Sequence, residues 1–166
     1  MQKSFFLITI LASTLTLAGT TVTRAQSDPA ELVKQSREAI NQGNVGSALA
    51  LYADNATIDW GALCEEAPCV TAGKDKIWKQ LVQQVANKQR VLFQKTYVSG
   101  NVVTSLAVMS SDAVKKAGIP AGQITEWSIT EVQGGKISHA RIGILDRSEP
   151  QNARFDEWQR SQPPAQ

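Results

Sequence analysis

Between residues 29 and 40 the apolar positions Leu32, Val33, Ala39 and Ile40, with Ser36 among them, recur at helical spacing. Asp28, Pro29 and Glu31 stand ahead of them as a cap, a first-turn proline and a capping-box acid, and Gly43 ends the segment. Asn44 is placed to cap a second, short helix over residues 45–52. The period then changes, because Ala56, Ile58 and Trp60 alternate with Thr57 and Asp59 as in a half-buried strand. Ile77, Trp78, Leu81, Val82 and Val85 return to helical spacing and predict a third helix over residues 73–87 with one apolar face. After Arg90 the pattern is that of strands. Residues 91–98 and 102–109 predict one hairpin, and residues 123–132 and 136–146 predict another around Gly134 and Gly135, where positive φ carries little strain. Residues 110–122 are polar and hold two Gly and a Pro, which suits a connection at the sheet's edge. In the polar segment 147–166, Phe155 and Trp158 predict one helical turn docked on the body, with the last residues disordered.

The first residues belong to a different pattern. Lys3, an apolar run over residues 5–18 and the small-x-small end Thr23, Arg24, Ala25 predict a secretory signal cut between Ala25 and Gln26. The apolar run is shorter than the roughly 20 residues that span a bilayer, so no membrane association is expected after cleavage. No Cys stands at the cut, which argues against a lipid anchor. The chain therefore divides into a signal peptide at 1–25, one domain at 26–148 and a polar tail at 149–166, and its location is expected to be periplasmic or secreted. Of 17 basic residues Lys3 and Arg24 leave with the signal, so 15 remain against 15 acidic ones. The mature protein is near neutral and has no basic stripe, so nucleic acid is not an expected partner. About 140 residues suffice for one domain with its own core.

Export bears on the two cysteines. Cys64 and Cys69 bracket four residues, and in an oxidising compartment the even count predicts a disulfide across this loop, contributing roughly 2 kcal/mol less any strain. The spacing is not that of a redox C-x-x-C pair, and a second close-spaced pair of ligands for zinc is missing. No cofactor motif, nucleotide loop or nucleophile elbow is present, so neither a cofactor nor a metal is expected.

Helices followed by a long run of antiparallel strands give an α+β fold class, a curved antiparallel sheet packed on three N-terminal helices. The runs A-L-A-L-Y-A-D-N-A-T-I-D-W, G-K-D-K-I and E-W-S-I-T-E-V-Q-G-G-K-I-S-H-A-R-I resemble the nuclear transport factor 2-like superfamily in its SnoaL-like branch. The resemblance covers about residues 28–146. It implies a cone-shaped half-barrel with an apolar cavity, often dimeric across the outer face of the sheet, in a superfamily of isomerases, dehydratases, epoxide hydrolases and polyketide cyclases that also contains pure binding modules.

Carried over residue by residue, the resemblance removes more chemistry than it supplies. The general-base aspartate of the ketosteroid isomerases falls on Trp60 and their first-helix oxyanion tyrosine on Ser36, while their second oxyanion donor falls on Glu126 or Trp127. A Trp cannot abstract a proton, so that isomerisation is disfavoured. The dehydratase arrangement needs two histidines and this chain has one. An epoxide-hydrolase arrangement, an Arg between two Asp, would have to come from Arg141 with Asp59 and Asp146.

Two sets of candidate residues follow from the pattern. An acid–base set would be His139 as base, Asp59 or Glu126 as acid and Arg141 polarising a carbonyl. Strict alternation, however, puts Asp59 opposite Ile58 and Trp60, and puts His139 and Arg141 opposite Ala140 and Ile142. A ligand-pocket set would be Trp60, Trp127 and Tyr97 as an aromatic lining, Ala140 and Ile142 as the apolar wall, and Ser36 or the Tyr97 hydroxyl as the orienting group. The aromatic residues alternatively fill the core. The leading expectation is a homodimeric module that binds a small apolar molecule. A lyase or isomerase acting on a cyclic carbonyl compound and an interaction domain using the open sheet face are the alternatives.

Overall fold

The computed structural model describes residues 28–61 and 69–162. The expected signal segment and Cys64 lie outside the described residues, so the leader and the Cys64–Cys69 pairing remain expectations. Three helices are fixed by the sequence signals noted above. In α1 (Pro29–Asn41) the Asp28 carboxylate accepts from the Ala30 N–H at 2.9 Å. In α2 (Val45–Ala50) Asn44 accepts from the Ser47 N–H at 3.0 Å. α3 (Lys74–Ala86) buries Ile77, Leu81 and Gln84. The strand β1 (Tyr52–Asp59) begins earlier than its alternation predicts, and β2 (Val70–Ala72) pairs with its end.

Two hairpins follow as expected, β3 (Arg90–Ser99) with β4 (Val102–Ser110), and β5 (Ile124–Gln133) with β6 (Lys136–Leu145). The turn of the second uses Gly134 and Gly135 at φ 56 and 73. A short helix, α4 (Asp112–Lys116), interrupts the polar connection. The sheet order is β2-β1-β6-β5-β4-β3. The expectation of a wholly antiparallel sheet is corrected at one place, since β1 runs parallel to β6. These strands are joined by most of the domain rather than by a hairpin, so no tight turn dictates their direction.

The sheet bends at its register shifts. Between the pairs Trp127–Ile144 and Ile129–Arg141, β6 carries one residue more than β5, and Gly143 sits there at φ 73. The bulge keeps Ile142 inward on one side and Leu145 inward on the other. Gly61 lies against it so closely that a Cβ would stand 2.8 Å from the Ile142 carbonyl oxygen. β3 has a second shift between Phe93 and Lys95. The result is a curved, unclosed sheet with α1 lying across the inner face of β3, β4, β5 and β6.

Two apolar clusters fill that inner face. One joins Leu32, Val33 and Ile40 of α1 to Ile58, Trp60, Val103, Ala140 and Ile142. The other joins Val91, Ala107, Met109, Val114, Ile124 and Leu145 to Phe155. Phe155 belongs to a fifth helix, α5 (Pro150–Arg160), where the sequence predicts a single turn in a polar tail. Asn152 explains the extra length. Fully buried, it accepts from the Thr125 N–H and donates to the Thr125 and Asp146 carbonyls, taking the place of a strand partner where β6 ends. Burial of Phe155 adds roughly 2 kcal/mol.

Candidate functional site

Directly opposed residues of paired strands share a face, so the register decides what the cone encloses. Val103, Thr130, Ala140 and Ile58 form one inward row across β4, β5, β6 and β1. Ser105 faces Ser128 in the next row, and Ala107, Glu126 and Leu145 make the third. Ser105, Glu126, Ser128 and Thr130 are all buried. They form a polar belt between the two apolar clusters. α1 closes over this region and turns Ser36 and Arg37 inward, one helical turn after Leu32 and Val33.

Within the belt two polar atoms lack partners. The Ser36 Oγ and Glu126 Oε2 are buried and make no hydrogen bond. Glu126 is 1% exposed and Arg37 is 7% exposed. Burial pushes the Glu126 carboxyl up from its ordinary 4.5 to about 7, and the nearby Arg37 charge opposes that shift only in part. Among the described residues the Arg37 side chain makes neither a hydrogen bond nor an ion pair. A carboxyl that can hold a proton near neutrality, an unpaired cation and a free hydroxyl thus share one buried region. That combination can orient a polar group and donate or accept a proton.

The residues named from the sequence divide between the two faces. Glu126, Ser36, Trp60, Ala140 and Ile142 are buried on the inner side. Trp60 packs in the first cluster, and its indole N–H donates to the Thr71 hydroxyl at 2.9 Å. Asp59, His139 and Arg141 lie on the outer side, as alternation predicts. Arg141 pairs with Asp59 at 3.2 Å, and Thr57 Oγ1 is 2.7 Å from His139 Nδ1 in a hydrogen bond. The proposed convergence of His139, Asp59 and Arg141 with Glu126 is corrected accordingly, because the sheet separates them. Asp146 does not complete an Arg-between-two-Asp set, since it is held at the end of β6 by the N–H and hydroxyl of Ser148. Those bonds keep its carboxyl below the usual range.

Tyr97 and Trp127 also need correction as pocket residues. Tyr97, Thr104, Ile129, Arg141 and Asp59 run in one outer row across the sheet, with Tyr97 56% exposed. Trp127 stands beside them, paired with Leu106 and Ile144. Of Glu126 and Trp127, Glu126 is the one that points inward. Arg37, Ser105, Ser128 and Thr130 were not singled out from the sequence. The one signal for them was the run of polar residues at Glu126, Ser128 and Thr130, which share parity with the core residues Ile124 and Val132.

A separate cleft of about 350 Å³ lies between the loop after α4 and the start of α5, lined by Ile119, Pro120, Gln123, Thr125 and Gln151 among others. None of its lining groups is charged. Among the described residues no three His, Cys, Asp or Glu gather to hold a metal, and no helix is long and apolar enough to cross a membrane.

A sheet of this order and curvature, with α1 laid across its inner face, has close counterparts among solved structures. An NTF2-like protein of unknown function from Cytophaga hutchinsonii superposes with a TM-score of 0.58 at 16% identity, over 75% of this chain and 96% of that one. The fold is the nuclear transport factor 2-like cone. A candidate polyketide cyclase from Sinorhizobium meliloti gives a TM-score of 0.55 at 16% identity, covering 68% of this chain and 93% of its own. Bal32a, from a soil-derived mobile gene cassette, gives 0.61 at 16% identity over 80% and 96% of the two chains. By sequence the chain matches no family model and no curated protein. At such identities the likeness establishes the cone and leaves the chemistry to this chain's own residues.

Proposed function

We propose that this protein is an exported, homodimeric binding module that holds a small organic molecule inside the cone, with Glu126 and Ser36 orienting its polar group. The observation that carries this reading is the Glu126 Oε2 atom, fully buried and without a partner. An unsatisfied buried carboxyl oxygen costs on the order of 1–3 kcal/mol, a cost that a bound ligand's donor or acceptor would offset. The apolar flanks, Val33, Ile58 and Ile142, suit a largely hydrophobic body. Native mass spectrometry of the protein purified from its own source tests the reading. A copurified small molecule that is lost in Glu126→Gln is the expected result, and an unliganded wild-type protein that also fails to take up any member of an apolar compound panel would overturn it.

A second reading, a lyase or isomerase acting on a cyclic carbonyl compound, is favoured by one observation, the Glu126 carboxyl held near neutrality at about 7. The resemblance places an oxyanion donor at Glu126 or Trp127, and Glu126 is the one of the two buried on the inner side. Export rests on the N-terminal pattern, and the disulfide on Cys64 and Cys69 in an oxidising compartment. The homodimer rests on the outer sheet face, where Leu92, Tyr97 and Ile129 are exposed apolar side chains beside Trp127.

A further inference from the structure

Arg37 stands out because its charge has no assigned use. Its guanidinium is a planar cation with five N–H donors and no acceptor. At 7% exposure it is nonetheless largely out of water, and no carboxylate lies within ion-pairing distance among the described residues. Its nitrogens are not among the fully buried unpartnered atoms, so the guanidinium keeps slight contact with solvent while lacking a counter-charge, and an anion brought there would be stabilised by it. Its electrostatic neighbour is Glu126, close enough to feel its charge yet not bonded to it. The same region offers a second unsatisfied group in the Ser36 hydroxyl, one position earlier on the helix.

We propose that the interior of the cone takes an organic monoanion, a carboxylate on an apolar body, whose carboxylate pairs with Arg37 while Ser36 and Glu126 donate to its oxygens. The inference rests on the reading of the cone as a ligand chamber and names the class of molecule it takes. The planar fork of a guanidinium fits a carboxylate with two parallel hydrogen bonds. The burial gradient sets the direction of entry, because Arg37 keeps slight contact with solvent whereas Glu126 is closed at 1% exposure. An incoming carboxylate therefore meets the cation first, and the apolar body lies against Val33, Ile58 and Ile142. A dianion such as a phosphate monoester is disfavoured, because Arg37 is the one buried Lys or Arg among the described residues and Glu126 lies beside it.

The test compares matched acids and amides by calorimetric titration of the mature protein at about pH 6 and low salt. The pairs are cyclohexanecarboxylate with its carboxamide, benzoate with benzamide, and octanoate with octanamide, and phenyl phosphate is the dianion. The expected result is that the acids bind about tenfold to a hundredfold more tightly than the amides, the range of a charge-assisted pair. In Arg37→Gln that preference should fall to within about twofold while amide binding is retained, and Arg37→Lys, which keeps the charge without the fork, should fall between. Should the glutamine variant fail to fold, the wild-type Arg37 Nε–H resonance gives the same information, shifting with benzoate and not with benzamide. Equal binding of acids and amides, an acid preference that survives in Arg37→Gln, or phenyl phosphate binding more tightly than benzoate would overturn the inference and leave the chamber reading standing. If no acid or amide binds at all, the chamber reading falls, and this inference with it.

Discussion

On β5 the side chains turned inward are Ile124, Glu126, Ser128, Thr130 and Val132, while those turned outward are Thr125, Trp127, Ile129, Glu131 and Gln133. Each face has two apolar residues, but their placement is reversed. Inside, the apolar pair sits at the strand's ends and frames a polar middle. Outside, Trp127 and Ile129 form an apolar centre with polar ends. A strand that only closed a core would put its apolar centre inward. Here the middle of the interior is polar and sealed, and the middle of the exterior is apolar and partly open. The first arrangement suits a ligand that needs orienting groups, and the second suits a partner that covers hydrophobic surface.

The largest effect that would sharpen this contrast is a pH dependence of stability. The Glu126 carboxyl titrates near 7 in the folded protein against an ordinary 4.5, so between those values the native state binds more protons than the unfolded state. Stability must then fall as pH rises through that window, by at most about 3 kcal/mol from this group, with the penalty fully present above pH 7 and absent below pH 4.5. Urea unfolding across this range should show the decline in the wild type and a flatter profile in Glu126→Gln. Identical profiles would mean that the inner face holds no strained carboxyl.

Outer-face substitutions should act on association instead. Leu92→Glu changes a side chain that is 71% exposed and should alter monomer stability by no more than about 0.5 kcal/mol. Ile129→Glu, at the centre of the outer apolar group, should convert the proposed dimer to monomer as judged by light scattering on a sizing column. A dimer that tolerates both charges would move the interface elsewhere. The smallest effect is expected at the outer ion pair, where Arg141→Ala removes a bond to Asp59 from a side chain that is 57% exposed. Its cost to stability should stay under about 1 kcal/mol, and ligand affinity should not change. A tenfold loss of affinity in this variant would show that the two faces are not independent.

Much of the architecture was legible because it depends on local signals. Asp28 with Pro29, Asn44, and the glycine pair at 134 and 135 mark boundaries by capping and turn chemistry, which act within a few residues. The periodicity of α3 placed Ile77 and Leu81 inside. Alternation placed Asp59, His139 and Arg141 outside, which already weakened the acid–base set. Other features depend on distant partners. The parallel pairing of β1 with β6 and the anchoring of α5 by Asn152 on Thr125 join segments that carry no mutual signal in the sequence. β5 is undecidable by hydropathy, since both of its faces hold equal numbers of apolar residues, and no local signal sets Arg37 apart from the other charges on the helices.

Capping residues, glycines and periods of two and 3.6 determined which segments of this protein are helices and strands, and in which order they come. They could do so because backbone preference and amphipathicity are properties of neighbouring residues. Only the assembled sheet decided which face of β5 is enclosed and that the Arg37 charge acts on Glu126. Burial and desolvation are created by segments far apart in the chain coming together, and it is desolvation that turns an ordinary glutamate into a group holding its proton near neutral pH.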